Sequence, residues 1–256
     1  MLECMSYATV AGLRTYYETH GTGDPVLLLH GGLATADSWA PQIAALSEQY
    51  QVIVPERRGH GRTGDVDGRY TYRLMAADTI GFAETLGLAS AHVVGWSDGA
   101  LVGAYVALDR PDLVEKLVLI GQYLDPSGAR PELASMLDDG DFGEFARPGY
   151  DRLSPDGPEH FDVVLAKILR MWREDPGPGL SALPGITAPT LVMQGDDDFV
   201  TVEHSAAVAR ALPEAQLAVV PGTSHGLPME KPALVNQLLL DFLGGEHPTK
   251  LAPLTP

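Results

Sequence analysis

A serine framed by glycines is the first group in this sequence that could do chemistry. It lies in the segment Gly-Trp-Ser-Asp-Gly, residues 95–99, between an apolar run and a helix-forming run. A strand, a tight turn and a helix in this order hold the Ser97 hydroxyl clear of the backbone, at the carboxyl end of the strand. The turn forces the serine toward positive φ, which costs about 1–3 kcal/mol. The flanking glycines give the strand and the helix room to pass closely.

A histidine and several aspartates are candidates to activate this serine. A serine hydroxyl is a weak nucleophile at neutral pH, so it needs a histidine as its base and a carboxylate that orients the imidazole. His225 follows the last apolar run of the chain, and three consecutive aspartates, residues 196–198, follow the run before it. Asp125, after an earlier run, is a second candidate for the acid.

Alternating apolar runs and helical patterns predict the elements that would position these residues. Continuous apolar strands, typical of a parallel sheet buried on both faces, are predicted at residues 26–29, 51–54, 91–94, 116–120, 190–194 and 216–220. Helices are predicted at residues 39–50 (with Asp37 or Ser38 as N-cap), 70–86, 100–108, 203–212 and 232–243, and a hairpin at residues 6–18. This alternation favours a doubly wound α/β sheet. Functional residues of such sheets collect at the carboxyl ends of the strands, where all the candidates above lie.

The alternation stops over residues 122–184, which are rich in Pro, Gly and Asp. This segment is predicted to be a helical cap with one strong helix at residues 160–174. The cap would separate a first part of the core, residues 1–121, from a second part, residues 185–245. Residues 246–256 are expected to form a flexible tail.

Five motifs in order make the chain resemble the α/β-hydrolase superfamily from about residue 7 to residue 243. They lie at residues 30–32 (His-Gly-Gly), 58–63 (Arg-Gly-His-Gly-Arg-Thr), 95–99, 195–198 and 222–226. The resemblance implies a mostly parallel, eight-stranded sheet flanked by helices and a small helical cap. The superfamily's Gly-x-x-Asp spacing selects Asp198, and the order Ser97, Asp198, His225 is that of its catalytic triad. His30 resembles a structural histidine beside the oxyanion loop.

The chain departs from the superfamily pattern at two positions. Glu56 stands where an aspartate is usual, and Ala100 follows the serine motif where close relatives often have a second glycine. Neither residue belongs to the triad, so the departures bear on fine positioning.

The resemblance also implies an oxyanion hole and suggests a substrate. Its donors would be the backbone N–H groups of Gly32 and Asp98. The segment around Ser97 resembles that of valacyclovir-hydrolase-like enzymes, which cleave esters of α-amino acids and whose aspartate is associated with the substrate ammonium group. Alternatively, the Asp98 carboxylate stabilises the helix N-terminus by about 0.3–1 kcal/mol. The other candidate residues for substrate binding or cap lining are Trp96, Tyr123, Trp172, Met171, Phe142 and Phe145.

These features predict a serine hydrolase that cleaves carboxylic esters of small acyl groups through an acyl-enzyme, with no cofactor and no metal. Because the nucleophile is serine, the aspartyl-ester chemistry of dehalogenases and epoxide hydrolases is disfavoured. A preference for α-amino acid esters, a proline-iminopeptidase-type aminopeptidase, a lactonase and a perhydrolase stay open. So does a ligand-binding receptor that keeps the triad.

The charge balance and the cysteine content limit the partners. The 256 residues carry a net charge of −17, from 34 acidic and 17 basic residues, which argues against nucleic acid and anionic membranes as partners. The single cysteine, Cys4, allows no internal disulfide. No membrane span or signal peptide is recognisable. A cytoplasmic enzyme is expected, monomeric or homodimeric, with a small-molecule ester as its partner.

Overall fold

One sheet of eight strands carries the fold in residues 3–139 and 142–245, which the computed structural model describes. The strands are β1 (Glu3–Val10), β2 (Leu13–His20), β3 (Pro25–Leu29), β4 (Gln51–Pro55), β5 (Ala91–Trp96), β6 (Val114–Ile120), β7 (Thr190–Gly195) and β8 (Ala215–Val220). Their spatial order is β1-β2-β4-β3-β5-β6-β7-β8. The pairs β1–β2 and β2–β4 are antiparallel, and the others are parallel. The predicted α/β class with a mostly parallel, eight-stranded sheet is confirmed.

Helices cover both faces of this sheet. They are α1 (Ala40–Leu46), α2 (Tyr72–Thr85), α3 (Asp98–Asp109), α4 (Pro131–Asp139), α5 (Phe142–Leu153), α6 (Phe161–Glu174), α7 (Val202–Ala211), α8 (Leu227–Glu230) and α9 (Pro232–Gly244). Leu27 and Leu29 of β3 share one apolar cluster with α2, α3 and α7, whereas Val26 and Leu28 share the other with α1 and α9. Side chains alternate along a strand, so these two clusters lie on opposite faces. None of these helices is both long and apolar enough to cross a bilayer.

The first helix differs from its prediction at both ends. A 3-10 turn, Ala36–Trp39, precedes α1, and its N-cap is Thr35, whose hydroxyl accepts from the Asp37 N–H at 3.3 Å. The prediction of Asp37 or Ser38 as the cap is therefore wrong. Pro41 lacks an N–H and is tolerated best in the first turn of an α-helix, so the α-helix starts at this point. It ends at Leu46, before the turn that leads into β4.

Three helices, α4, α5 and α6, lie between β6 and β7 in the chain. The helix predicted at residues 160–174 is α6, but the expectation of one strong helix is wrong because α4 and α5 also form. Pro148 lies inside α5, which explains why its sequence reads as irregular. The division into core and cap at residues 121 and 184 stays a prediction. The predicted tail lies outside the described residues.

Glu56 is completely buried at the end of β4. Its carboxylate accepts from the backbone N–H groups of Ala36 and Arg62 at 3.1 and 2.5 Å, and from the Arg62 guanidinium at 2.7 Å. Burial raises the pKa of Glu56, and the bonds to Arg62 and Ala36 oppose this shift. Glu56, at the position where the superfamily usually has an aspartate, therefore joins the loop before α1 to the loop after β4.

Strand β5 and helix α3 approach each other very closely at the serine motif. A Cβ built on Gly95 would lie 2.3 Å from the Gly99 carbonyl oxygen of α3. Helix α3 also lies against the neighbouring strand β3, because a Cβ built on Gly99 would lie 2.0 Å from the Leu29 carbonyl oxygen. A side chain at either position would overlap backbone atoms, so glycine is required at both.

We expect Gly95→Ala to lower the free energy of unfolding by about 1–3 kcal/mol, because strand and helix must move apart to admit the methyl group. Urea denaturation followed by circular dichroism measures this change. Gly149→Ala is the matched control, since no heavy atom lies within 4 Å of a Cβ built there. A helical alanine is favoured over glycine by about 1 kcal/mol, so the control should be unchanged or more stable. Equal destabilisation by both substitutions would contradict the argument.

Candidate active site

Ser97 occupies the strained turn between β5 and α3. Its backbone has φ +57° and ψ −122°, a conformation that costs a non-glycine residue about 1–3 kcal/mol. The Ser97 N–H donates to the Ile120 carbonyl of β6 at 2.8 Å, and α3 begins at the next residue. The sheet on one side and the helix on the other thus hold the serine at the carboxyl edge of the sheet.

His225 and Asp198 meet at the same edge of the sheet. His225 Nδ1 lies 2.8 Å from Asp198 Oδ1, and this oxygen also accepts from the Val200 N–H at 3.3 Å. Asp198 is only 2% exposed. A neutral His225 that donates its Nδ1 proton to this carboxylate keeps Nε2 free to accept another proton. His225 and Ser97 line one cavity.

The other candidate acids have different partners. Asp196 accepts from the Thr223 N–H at 3.1 Å, and Asp197 is exposed, with Arg130 at 3.9 Å. Asp125 accepts from the backbone N–H and the hydroxyl of Ser127, at 3.0 and 2.6 Å, and so begins a short 3-10 turn. Of the four aspartates considered from the sequence, Asp198 is the one that the fold places against the histidine.

His30 is buried beside the glycine loop, residues 30–32. Its Nε2 accepts from the Arg57 backbone N–H at 3.1 Å, so Nδ1 carries the proton and donates to the Gly31 carbonyl at 2.7 Å. Burial lowers the pKa of His30 well below its usual range, and the Arg57 and His60 side chains lower it further. A neutral imidazole is what this arrangement requires, because a protonated Nε2 could not accept a hydrogen bond.

The Asp98 carboxylate lies between the glycine loop and helix α6. It accepts from the Tyr72 hydroxyl at 3.1 Å and from the Trp172 Nε1–H, which lies 3.0 and 2.9 Å from its two oxygens. The residue is 4% exposed. Burial raises the pKa of Asp98, whereas the Arg57 charge and the two hydrogen bonds lower it. Asp98 is the first residue of α3, where a negative charge is favourable.

Gly32 is tightly enclosed by this arrangement. A Cβ built on it would lie 2.4 Å from Asp98 Oδ2 and 2.5 Å from the Trp172 ring. A side chain at this position would displace both residues, so glycine is needed next to the cavity.

The cavity that contains Ser97 has a volume of about 540 Å³. Trp96, Tyr123 and Trp172 line it, as do Phe142 and Phe145, the latter 85% exposed at its mouth. The remaining apolar lining comes from Leu33, Leu133, Met136, Leu137, Phe199, Val200 and Met229. No lysine or arginine is among the described residues that form this lining.

Two of the aromatic and cap residues differ from their predicted use. Met171 is not in this lining, because it faces the other way on α6 and is buried in the core. Trp96 lines the cavity but also donates its indole N–H to the His225 carbonyl at 2.8 Å, and so supports the loop that carries His225.

Tyr72 and Arg57 are site residues that the sequence did not reveal. Tyr72 reaches Asp98 from α2, and Arg57 binds the glycine loop from the segment after β4. Both contacts join segments far apart in sequence, and no local pattern marks either residue.

Comparisons with known proteins agree with this geometry. A model of the alpha/beta hydrolase family matches residues 26–238. The chain belongs to the alpha/beta hydrolase family. The resemblance predicted from the five motifs is thereby confirmed.

Individual relatives resemble the chain over nearly its whole length. A putative carbamate hydrolase RutD from Caulobacter vibrioides is 32% identical over 94% of this chain and 98% of its own. A non-heme haloperoxidase from Rhodococcus erythropolis is 30% identical over 93% and 99%. Among solved structures, a thermophilic esterase from Thermogutta terrifontis superposes with a TM-score of 0.74 at 26% identity, over 95% and 98%. The family, the carbamate hydrolase and the esterase place the chain among hydrolases.

The contact between Asp198 and His225 yields a direct prediction. We expect Asp198→Asn to slow the labelling of Ser97 by a fluorophosphonate probe by about 10³–10⁴-fold, because the asparagine no longer holds the imidazole in the tautomer that accepts a proton. Peptide mapping by mass spectrometry measures the labelling rate.

The matched control for this prediction is Asp125→Asn, the same change at the other candidate acid. Its carboxylate serves a local turn, so labelling should stay within about twofold of the parent protein. Slow labelling in Asp125→Asn together with normal labelling in Asp198→Asn would exchange the roles of the two aspartates.

Proposed function

We propose that this hydrolase cleaves neutral carboxylic esters of small acyl groups through a serine acyl-enzyme. The single observation that supports this most is the pairing of His225 with Asp198 at 2.8 Å, beside the cavity that contains Ser97. Acyl transfer requires three groups close together, namely a carboxylate, an imidazole and a serine hydroxyl, and all three lie beside this cavity.

The proposed reaction begins with attack of Ser97 Oγ on the ester carbonyl carbon. His225 Nε2 takes the hydroxyl proton, and Asp198 stabilises the imidazolium that forms. The carbonyl oxygen becomes an oxyanion that accepts from the N–H groups of Gly32 and Asp98. When the carbon–oxygen bond to the alcohol breaks, the leaving alkoxide takes the proton from His225. A water molecule then attacks the acyl-enzyme in the same way, releasing the acid and restoring the serine.

The lining of the cavity favours uncharged, apolar acyl groups. Apolar side chains form most of its wall, and the described lining offers no cation to a carboxylate-bearing substrate. The charged Asp98 side chain would repel such a substrate. Esters and lactones of small aliphatic acids fit this lining because they are apolar and carry no charge that would need a partner.

Two alternatives have weaker support. An α-amino acid ester would bring an ammonium group to Asp98, but that carboxylate already accepts from Trp172 and Tyr72. A carbamate, the substrate class in the name of the RutD relative, would find no cation in the described lining if it is bound as an anion. The perhydrolase, aminopeptidase and receptor interpretations have no specific contact in their favour.

Turnover of p-nitrophenyl acetate and butyrate tests the proposal. We expect the parent protein to turn over many times, and Ser97→Ala to lose about 10⁶-fold in kcat because the nucleophile is gone. Ser127→Ala, the same change at an exposed serine that is not in the cavity lining, should hydrolyse both esters normally. A single slow turnover that leaves Ser97 labelled would support the receptor interpretation instead.

Trp172 should decide between neutral and ammonium-bearing esters. Trp172→Phe keeps a ring in the cavity but removes the N–H that occupies Asp98. A hydrogen bond to a charged group contributes about 1.5–3 kcal/mol, so the ratio of kcat/KM for an L-valine ester to that for p-nitrophenyl butyrate should rise at least about tenfold. The proposed preference for neutral esters would be overturned if the parent protein already prefers the valine ester and if Trp172→Phe leaves this ratio of kcat/KM values unchanged.

A further inference from the structure

Arg57 makes an unusual set of contacts behind the glycine loop. The residue is buried. Its Nη1 donates to the His30 carbonyl at 2.5 Å, its Nη2 donates to the Gly31 carbonyl at 3.0 Å, and its backbone N–H donates to His30 Nε2 at 3.1 Å. The two guanidinium nitrogens thus hold consecutive carbonyl groups of the loop.

Holding the Gly31 carbonyl also fixes the next N–H group. In a planar trans peptide the C=O of one residue and the N–H of the next point in opposite directions. The Gly31 oxygen accepts from Arg57, from His30 Nδ1 at 2.7 Å and from the Ala34 N–H at 3.3 Å. These donors draw the carbonyl away from the cavity, so the Gly32 N–H is directed toward it. The loop lies next to the nucleophile, since a Cβ built on Gly31 would be 3.4 Å from Ser97 Cβ.

Arg57 also brings a positive charge near a negative one. The Asp98 carboxylate lies against Gly32, so its charge opposes a second negative charge in the oxyanion hole. Burial lowers the pKa of Arg57 to about 10, although the attraction of Asp98 opposes this shift. Arg57 is therefore a cation at neutral pH and offsets the charge of Asp98 at this position.

We propose that Arg57 is a positioning residue for the oxyanion hole, which aims the Gly32 N–H and balances the Asp98 carboxylate. The inference rests on the proposed function, because it takes the Gly32 N–H as a donor to the oxyanion. It assigns Arg57 no contact with the substrate. The residue lies just before the Arg-Gly-His-Gly-Arg-Thr motif and is not part of it.

Arg57→Met tests the inference, since methionine fills a similar space without charge or donors. We expect kcat for p-nitrophenyl butyrate to fall about 10²–10³-fold, the loss typical of one oxyanion donor, while KM changes by less than about threefold. The affinity for a trifluoromethyl ketone, which forms an oxyanion on Ser97, should fall by the same factor as kcat. The affinity for the corresponding uncharged amide, a ground-state competitor, should not change.

Two further variants separate orientation from charge. Arg57→Lys keeps the charge but has one ammonium group in place of a two-pronged guanidinium, so kcat should still fall at least about tenfold. Arg57→Met combined with Asp98→Asn should recover part of the kcat lost in Arg57→Met, because the uncompensated carboxylate is gone. No recovery would remove the charge part of the inference.

Arg58→Met is the matched control. The adjacent Arg58 pairs with Asp78 at 2.6 and 2.8 Å, away from the cavity, so this variant should lose stability and keep its kcat. Equal losses of kcat in Arg57→Met and Arg58→Met, or parental ketone affinity in Arg57→Met, would overturn the inference. If Arg57→Met does not fold, parental kcat in Arg57→Lys overturns it equally.

The outcome for Ser97→Ala keeps the two proposals apart. Ester hydrolysis that survives in Ser97→Ala would refute the proposed function. Hydrolysis that is lost in Ser97→Ala but intact in the Arg57 variants would refute only the role of Arg57.

Discussion

The close contact between β5 and α3 is the constraint on which the rest of the site depends. At Gly95 the backbones of β5 and α3 leave no room for a Cβ, and at Gly99 those of α3 and β3 leave none, so the chain must turn within the few residues between the two glycines. Ser97 takes up this turn with φ +57°. The strain is tolerated because the buried sheet and helix are fixed by their own packing. A flexible loop could carry a serine, but it could not keep the hydroxyl at a constant distance from His225 and the glycine loop.

Local patterns in the sequence were sufficient for the α/β class and for the edge of the sheet at which the candidate residues lie. Continuous apolar runs indicate buried parallel strands, and the residues that follow them share one edge of the sheet. The choice of Asp198 among the four candidate aspartates rested on the family resemblance, and the structure pairs it with His225. The contacts of Asp98 could not be foreseen in this way. Tyr72 and Trp172 come from α2 and α6, and their approach to Asp98 depends on how the helices pack. The helices α4 and α5 were missed because proline and glycine obscure their periodicity.

Buried polar groups around the glycine loop are balanced in pairs. A buried charge without a partner is costly, so each ionised group here has opposite charge or donors nearby. Arg57 and Asp98 lie on either side of the loop, and the neutral His30 links Arg57 to the Gly31 carbonyl. Glu56 and Arg62 form a second such pair of opposite charges, between the loop before α1 and the loop after β4. The rigidity of the site therefore comes from polar contacts as well as from the apolar sheet.

The order of the functional residues along the chain has a consequence for synthesis. Ser97 lies in the first part of the chain, whereas Asp198 and His225 follow β7 and β8, after the three helices α4, α5 and α6. Under the proposed mechanism, a nascent polypeptide that ends before β8 carries the serine without its base. An unfinished chain would then have no activated nucleophile, and reactivity would arise only when the last strand joins the sheet.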